Sequence, residues 1–150
     1  MRCYRHEQAP SAEAPLVIGF DIDDTITAHP AFFAVVSQAL RGAGHRVVII
    51  TMRVDAGQAA ADLAAFGVVY DELHCFDLDQ RGDYWGWKGR LCASLGVEDF
   101  FDDSPDILAR MPATTLPFLA VHRPRHDLSL LSEADEEEIE GVIGAGLGRS

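Results

Sequence analysis

Leu16-Val17-Ile18-Gly19-Phe20-Asp21-Ile22-Asp23-Asp24-Thr25-Ile26 decides how this chain is read. The first half is an apolar run of the kind that forms a buried strand. The second half places three carboxylates, Asp21, Asp23 and Asp24, within four residues. Like charges this close repel, and burying each costs several kcal/mol unless a cation or protons compensate. Folding alone does not favour the arrangement; a divalent metal with a phosphate ligand does. Carboxylates at the C-terminal end of a strand also stand where open α/β sheets place their ligands.

Outward from this run, strands and helices alternate. Leu16 to Phe20 reads as the first strand and Pro30 to Arg41 as a helix that Gly42 and Gly44 end. Arg46 to Ile50 is a β-branched strand, and Asp55 to Phe66 is Ala-rich and helical up to Gly67. Glu72 to Phe76 fits a short strand, Asp77 to Gly86 a loop, and Trp87 to Leu95 a helix stopped by Gly96. A strand over Asp99 to Asp102, a helical turn over Ser104 to Met111 and a last strand over Leu116 to Val121 complete the series. The alternation implies an α/β fold, a three-layer, Rossmann-like parallel sheet with right-handed crossovers. Residues 1–15 read as a loose leader, 16–126 as the folded domain, and 127–150 as an acidic tail with a short helix that Ser132 would cap.

The totals narrow the classes. A chain of 150 residues that is 48% hydrophobic suits one globular domain with its own core. No apolar run nears the roughly 18 residues a membrane span needs. Met1 to Pro15 carries charges and no apolar stretch of the secretory kind, so no signal is expected. Cys3, Cys75 and Cys92 lack metal-type spacing, which points to reduced thiols and a cytoplasmic setting. The net charge of −12 disfavours a protein that tracks nucleic-acid phosphates. A local rim of Arg53, Arg81, Lys88 and Arg90 still suffices to grip one phosphate.

Asp21-Ile22-Asp23-Asp24-Thr25 resembles the first motif, DxDx(T/V), of the haloacid dehalogenase-like (HAD) superfamily, most of whose members are Mg-dependent phosphohydrolases. The likeness extends over residues 16–121 through three further motifs. Val47-Val48-Ile49-Ile50-Thr51 is an apolar strand ending in a hydroxyl, and Thr51-Met52-Arg53 matches a (T/S)xR variant of the second. Lys88, the only lysine, stands where the third motif has its basic residue. Phe100-Phe101-Asp102-Asp103-Ser104-Pro105-Asp106 resembles the acidic fourth.

The resemblance implies roles. Asp21 would be the nucleophile that forms an aspartyl-phosphate, a known mode of covalent catalysis. Asp23 would be general acid and base. Side chains two apart on an extended strand share a face, so both carboxylates would address one phosphate. Thr25 would help hold the following turn. Thr51 and Arg53 would bind the phosphate, and Lys88 would neutralise it together with the crowded carboxylates. Asp21, the Asp23 main-chain carbonyl, Asp102 and Asp103 would hold Mg²⁺, with Asp106 an alternative acting through water.

Plainer readings stand beside these: an acidic turn after a strand, a threonine in a strand, a solvated surface lysine (with Arg90 and Arg81 as substitutes), and a helix cap at Asp102 to Ser104. His29, His45, His74 and His122 are scattered. Tyr84-Trp85-Gly86-Trp87 could stack on a ring-bearing substrate, pack in the core or form an oligomer contact.

Neither the Asp21–Thr51 nor the Thr51–Lys88 interval has room for a large cap domain, so a capless member is expected. The expected reaction is hydrolysis of a small-molecule or nucleotide phosphomonoester. A nucleic-acid end is allowed though not favoured, no membrane partner is expected, and a homo-oligomer is compatible. Two other classes remain. A receiver-like signalling domain would need a lysine after the last strand, which ends at Val121 without one. A catalytically silent HAD-like binding protein is the other.

Overall fold

The computed structural model describes residues 14–79 and 83–121. Most of the expected leader, Arg81, His122, Cys3, and the acidic tail with its helix at Ser132 lie outside the described residues. Five strands, β1 (Val17–Phe20), β2 (Arg46–Thr51), β3 (Glu72–Cys75), β4 (Asp99–Asp102) and β5 (Leu116–Leu119), form one sheet in the order β3-β2-β1-β4-β5. Every pairing is parallel. The helices are α1 (Pro30–Gly42), α2 (Ala56–Phe66), α3 (Trp87–Leu95) and the single turn α4 (Pro105–Leu108).

The central strands β1 and β2 are buried on both faces, which is why they read as apolar runs rather than as alternating ones. Alternate residues of β2 enter two separate cores. Val47 and Ile49 pack with Ile18, Phe20, Phe33 of α1 and Leu63 of α2. Val48 and Ile50 pack with Phe100, Trp87 and Cys92 of α3 and Leu108 of α4. Helices therefore cover both faces, and the fold is a three-layer α/β sandwich compatible with a Rossmann-like sheet. Gly19 of β1 is required by this packing, because a Cβ there would stand 2.5 Å from the Phe100 ring.

Local signals place the helices. Pro30 opens α1 in its first turn. Asp55 caps α2 by accepting the Gln58 N–H at 2.9 Å. Gly67 and Gly96 end α2 and α3 in the left-handed conformation, at φ 74° and 68°. Among the described residues, no helix is long and apolar enough to cross a membrane.

One element departs from the sequence expectation. The chain is extended at Asp21 and again at Asp23, and it closes a wide turn over Ile22–Ile26. The Thr27 N–H closes it on the Ile22 carbonyl at 2.9 Å. Asp24 stands at φ 56°, a left-handed position that Asp tolerates better than most residues. Its N–H donates to Thr27 Oγ1 at 2.8 Å. Thr27, not Thr25, thus holds the turn: the Thr25 side chain is buried and its hydroxyl has no hydrogen-bond partner among the described residues.

Candidate functional site

The strand order creates a crevice between β1 and β4. The chain runs from β1 outward to β3, then crosses back to β4 on the other side of β1. That reversal separates the loops leaving the two central strands and leaves a cleft at their C-terminal ends. Asp21 follows β1 and Asp102 ends β4. The register Phe20↔Phe101 sets them side by side, and the Asp21 N–H donates to the Phe101 carbonyl at 2.9 Å.

Lys88 arrives from above, one residue into α3. Trp87 and Cys92 seat that helix in the core. Gly89 lets it approach so closely that a Cβ would strike the Arg110 carbonyl. The Lys88 side chain is only 3% exposed, and its ammonium lies 2.7 Å from Asp21 Oδ1 and 2.6 Å from Asp102 Oδ2. The reading of Lys88 as a solvated surface residue is thereby excluded. Asp102 Oδ1 also accepts the Ser104 N–H at 2.8 Å, so both its oxygens are engaged. Ser104 itself caps α4 through its side chain.

Asp103 completes a cluster: ligand-type oxygens of Asp21, Asp102 and Asp103 all lie within 4.8 Å of one another. One ammonium serves three carboxylates here, and the imbalance shows at Asp21 and Asp103. Burial pushes Asp21 up to about 7, against the pull of Lys88 and with the repulsion of Asp102 adding to it. Burial likewise raises Asp103, reinforced by Asp102. For Lys88, burial disfavours the ammonium, but Asp21 and Asp102 outweigh it and hold the group above its ordinary range. A divalent cation supplies the missing positive charge, and an all-oxygen donor set suits a hard ion. The cluster can hold such an ion.

Asp23 opens on the same cavity as Asp21, as the sequence expectation has it, but at its exposed rim. It is 57% exposed and lies outside the three-carboxylate cluster. Arg53 grips it with a fork, Nε at 2.9 Å and Nη2 at 2.6 Å. The other arm of Arg53 donates to Asp62 of α2 at 2.6 Å, and Gln58 donates to the second Asp62 oxygen at 2.7 Å. Hydrogen bonding to Asp23 is the main cause that raises the Arg53 guanidinium above its ordinary value. Asp62 is lowered chiefly by its bond to Arg53. Nothing in the sequence marks Asp62 or Gln58: they are two polar residues on the exposed face of an Ala-rich helix.

Asp21, Asp23, Asp24, Lys88, Asp102 and Asp103 line one cavity of about 250 Å³. Tyr84, Trp85 and Met52 form another part of its wall. Thr51 and Arg53 are not among its lining residues: the buried Thr51 hydroxyl accepts the Arg53 N–H at 3.3 Å, and Arg53 reaches the cavity only through Asp23. Asp106 is exposed and outside the carboxylate cluster. The described histidines lie elsewhere. His45 accepts the Leu16 N–H, His74 pairs with Glu72, and His29 precedes α1. Cys92 is buried, with burial pushing its thiol up to about 12, so it is inert packing.

Compared with known proteins, the chain matches no family model, no curated protein and no solved structure.

Proposed function

We propose that this chain is a Mg²⁺-dependent phosphohydrolase of the HAD-like, capless type, cleaving a phosphomonoester through an aspartyl-phosphate. The observation that carries the reading is the buried Lys88 ammonium clamped between Asp21 and Asp102, with Asp103 beside them, at the mouth of a parallel sheet. The four ordered motifs support it as a resemblance. The cavity has room for a phosphoryl group and part of its leaving group, and no inserted domain occupies the described parts of the Asp21–Thr51 and Thr51–Lys88 intervals.

In this reading Asp21 attacks phosphorus through a carboxylate oxygen, and the P–O bond to the leaving group breaks. The leaving oxygen takes a proton from Asp23. Water then attacks the phosphorus of the acyl phosphate, gives a proton to Asp23, releases inorganic phosphate and restores the Asp21 carboxylate. Asp23 can reach a leaving oxygen only once the Arg53 fork opens, since that fork now holds the carboxylate. Lys88 keeps Asp21 aligned and offsets the negative charge gathered at the strand ends. Mg²⁺, held by Asp21, Asp102 and Asp103, would neutralise charge on the phosphoryl oxygens.

Inorganic phosphate release from a panel of phosphomonoesters, with and without Mg²⁺, tests the proposal. Wild type should release phosphate only with Mg²⁺, and Asp21→Asn should be slower by at least about 10³-fold. Equal release by Asp21→Asn, or none from any compound in the presence of Mg²⁺, would overturn it. Mg²⁺ should also raise the melting temperature of wild type by several degrees and that of Asp102→Asn by less.

A further inference from the structure

We infer that Tyr84 and Trp85 form a stacking wall that selects phosphomonoesters whose leaving group is a flat, uncharged ring. The inference rests on the phosphohydrolase reading above and narrows its substrate class.

The two side chains line the same cavity as the carboxylate cluster and Lys88. They are 46% and 45% exposed, whereas Trp87, two residues on, is 7% exposed within the core. Core packing therefore accounts for Trp87 and not for the pair. Exposed aromatic surface of this size beside a polar pocket is a feature of ligand sites.

Their orientation is fixed by neighbours. Phe76 meets the buried Trp87 edge to face at 5.3 Å, Tyr84 meets Phe76 at 5.4 Å, and Trp85 meets Tyr84 at 5.4 Å. A chain of perpendicular rings anchored in the core holds the outer two in place. A ligand stacking on them thus loses little to their ordering.

Charge decides which ring. The Arg110 guanidinium lies 5.8 Å from the centre of the Trp85 ring. It belongs to a neighbouring groove with Gly86 and Arg90 and does not line the cavity. A cation already on the indole weakens its attraction for a second one, so an ammonium-bearing ligand gains little there. An anionic leaving group fares no better, because five carboxylates and one lysine line the cavity. A neutral π-system is favoured on both counts. Nucleosides and aryl alcohols share that chemistry.

The test compares kcat/KM for wild type, Trp85→Ala and Trp85→Phe in saturating Mg²⁺, on adenosine 5′-monophosphate, phenyl phosphate and glycerol phosphate. Trp85→Ala should lower the ring-bearing substrates by roughly 5- to 150-fold, the range that base–aromatic stacking supplies. Glycerol phosphate should stay within about twofold, and Trp85→Phe should restore most of the loss. A loss on adenosine monophosphate alone, or on phenyl phosphate alone, supports the wall and names the source of the ring. An equal loss on all three, or none on either ring, overturns it. If wild type turns over none of the three, the phosphohydrolase reading has failed on them, and the wall is judged by binding instead. Adenosine monophosphate should then quench the tryptophan fluorescence of wild type, and not that of Trp85→Phe, while glycerol phosphate leaves both unchanged. Equal quenching of the two proteins, or none of either, overturns the wall by itself.

Discussion

The molecule contains two bridges of the same composition at opposite depths. Lys88 spans Asp21 and Asp102 at 2.7 and 2.6 Å; Arg53 spans Asp23 and Asp62 at 2.6 and 2.6 Å. The side chains of the first are 3%, 7% and 1% exposed, those of the second 22%, 57% and 32%. Contact distance does not separate them. In the buried bridge, desolvation is large and each charge depends on its partners. In the outer one water solvates every group, and the pairs add little. The surplus negative charge of the outer bridge is dissipated in solvent. The inner bridge has half-buried Asp103 as a further carboxylate beside two buried ones, so this cluster and not Arg53 could hold a metal ion.

The sharpest way to break this contrast is Lys88→Met. The substitution keeps a long apolar side chain but leaves Asp21 and Asp102 without their cation. At pH 7.5 without metal it should cost about 3 to 5 kcal/mol, read from the urea midpoint. Part of the loss should return at pH 5, where Asp21, already raised by burial, takes up its proton. A midpoint within experimental error of wild type at pH 7.5 would mean that burial does not set the worth of this bridge.

A second, smaller effect follows from Asp21. Its folded value of about 7 lies above the ordinary 3.8. Between those limits the folded protein holds a proton that the unfolded chain has lost. Stability in the absence of metal therefore falls as pH rises from about 4 to 7, and levels off above. The contribution is on the order of a few kcal/mol, and Asp103 adds in the same direction. Asp21→Asn should remove most of this slope and melt higher than wild type at pH 8. Mg²⁺ should reverse the ranking by binding the wild type more tightly as that proton leaves. Parallel melting curves of the two proteins across pH 5 to 8 would contradict the burial account.

The inner bridge was legible in the sequence and the outer one was not, for a physical reason. Asp21 and Asp102 stand at strand ends marked by apolar runs, so periodicity points to the sheet mouth, whereas Lys88 joins them in the sequence only through the resemblance to the third HAD motif. Their meeting depends on the strand order β3-β2-β1-β4-β5, which the alternation of elements does not by itself specify. Arg53 and Asp23 were singled out as separate phosphate-handling groups, but their fork depends on the turn at Ile22–Ile26. That turn hinges on one residue, Asp24, in a left-handed conformation. A run of three acids among isoleucines reads equally well as continued strand. Asp62 joins through a long arginine side chain from a different element, and no local pattern records such a reach.

The outer bridge offers the finest test because the expected changes are small and directional. Arg53→Ala should lower stability by less than about 1 kcal/mol, and raised salt should shrink even that difference. Asp62→Asn should lower the urea midpoint only slightly, since its carboxylate is partly solvated and an amide oxygen can still accept one hydrogen bond. Arg53→Lys separates charge from shape: an ammonium keeps the attraction to Asp23 but cannot form the two-pronged contact. If the fork restrains Asp23 before proton transfer, Arg53→Lys should change the pH profile of phosphate release more than Asp62→Asn does, with stability equal in the two. A destabilisation by any of these variants that matched Lys88→Met would erase the distinction between the bridges. It would place Arg53 with the residues that hold the fold and not only among those that serve the site.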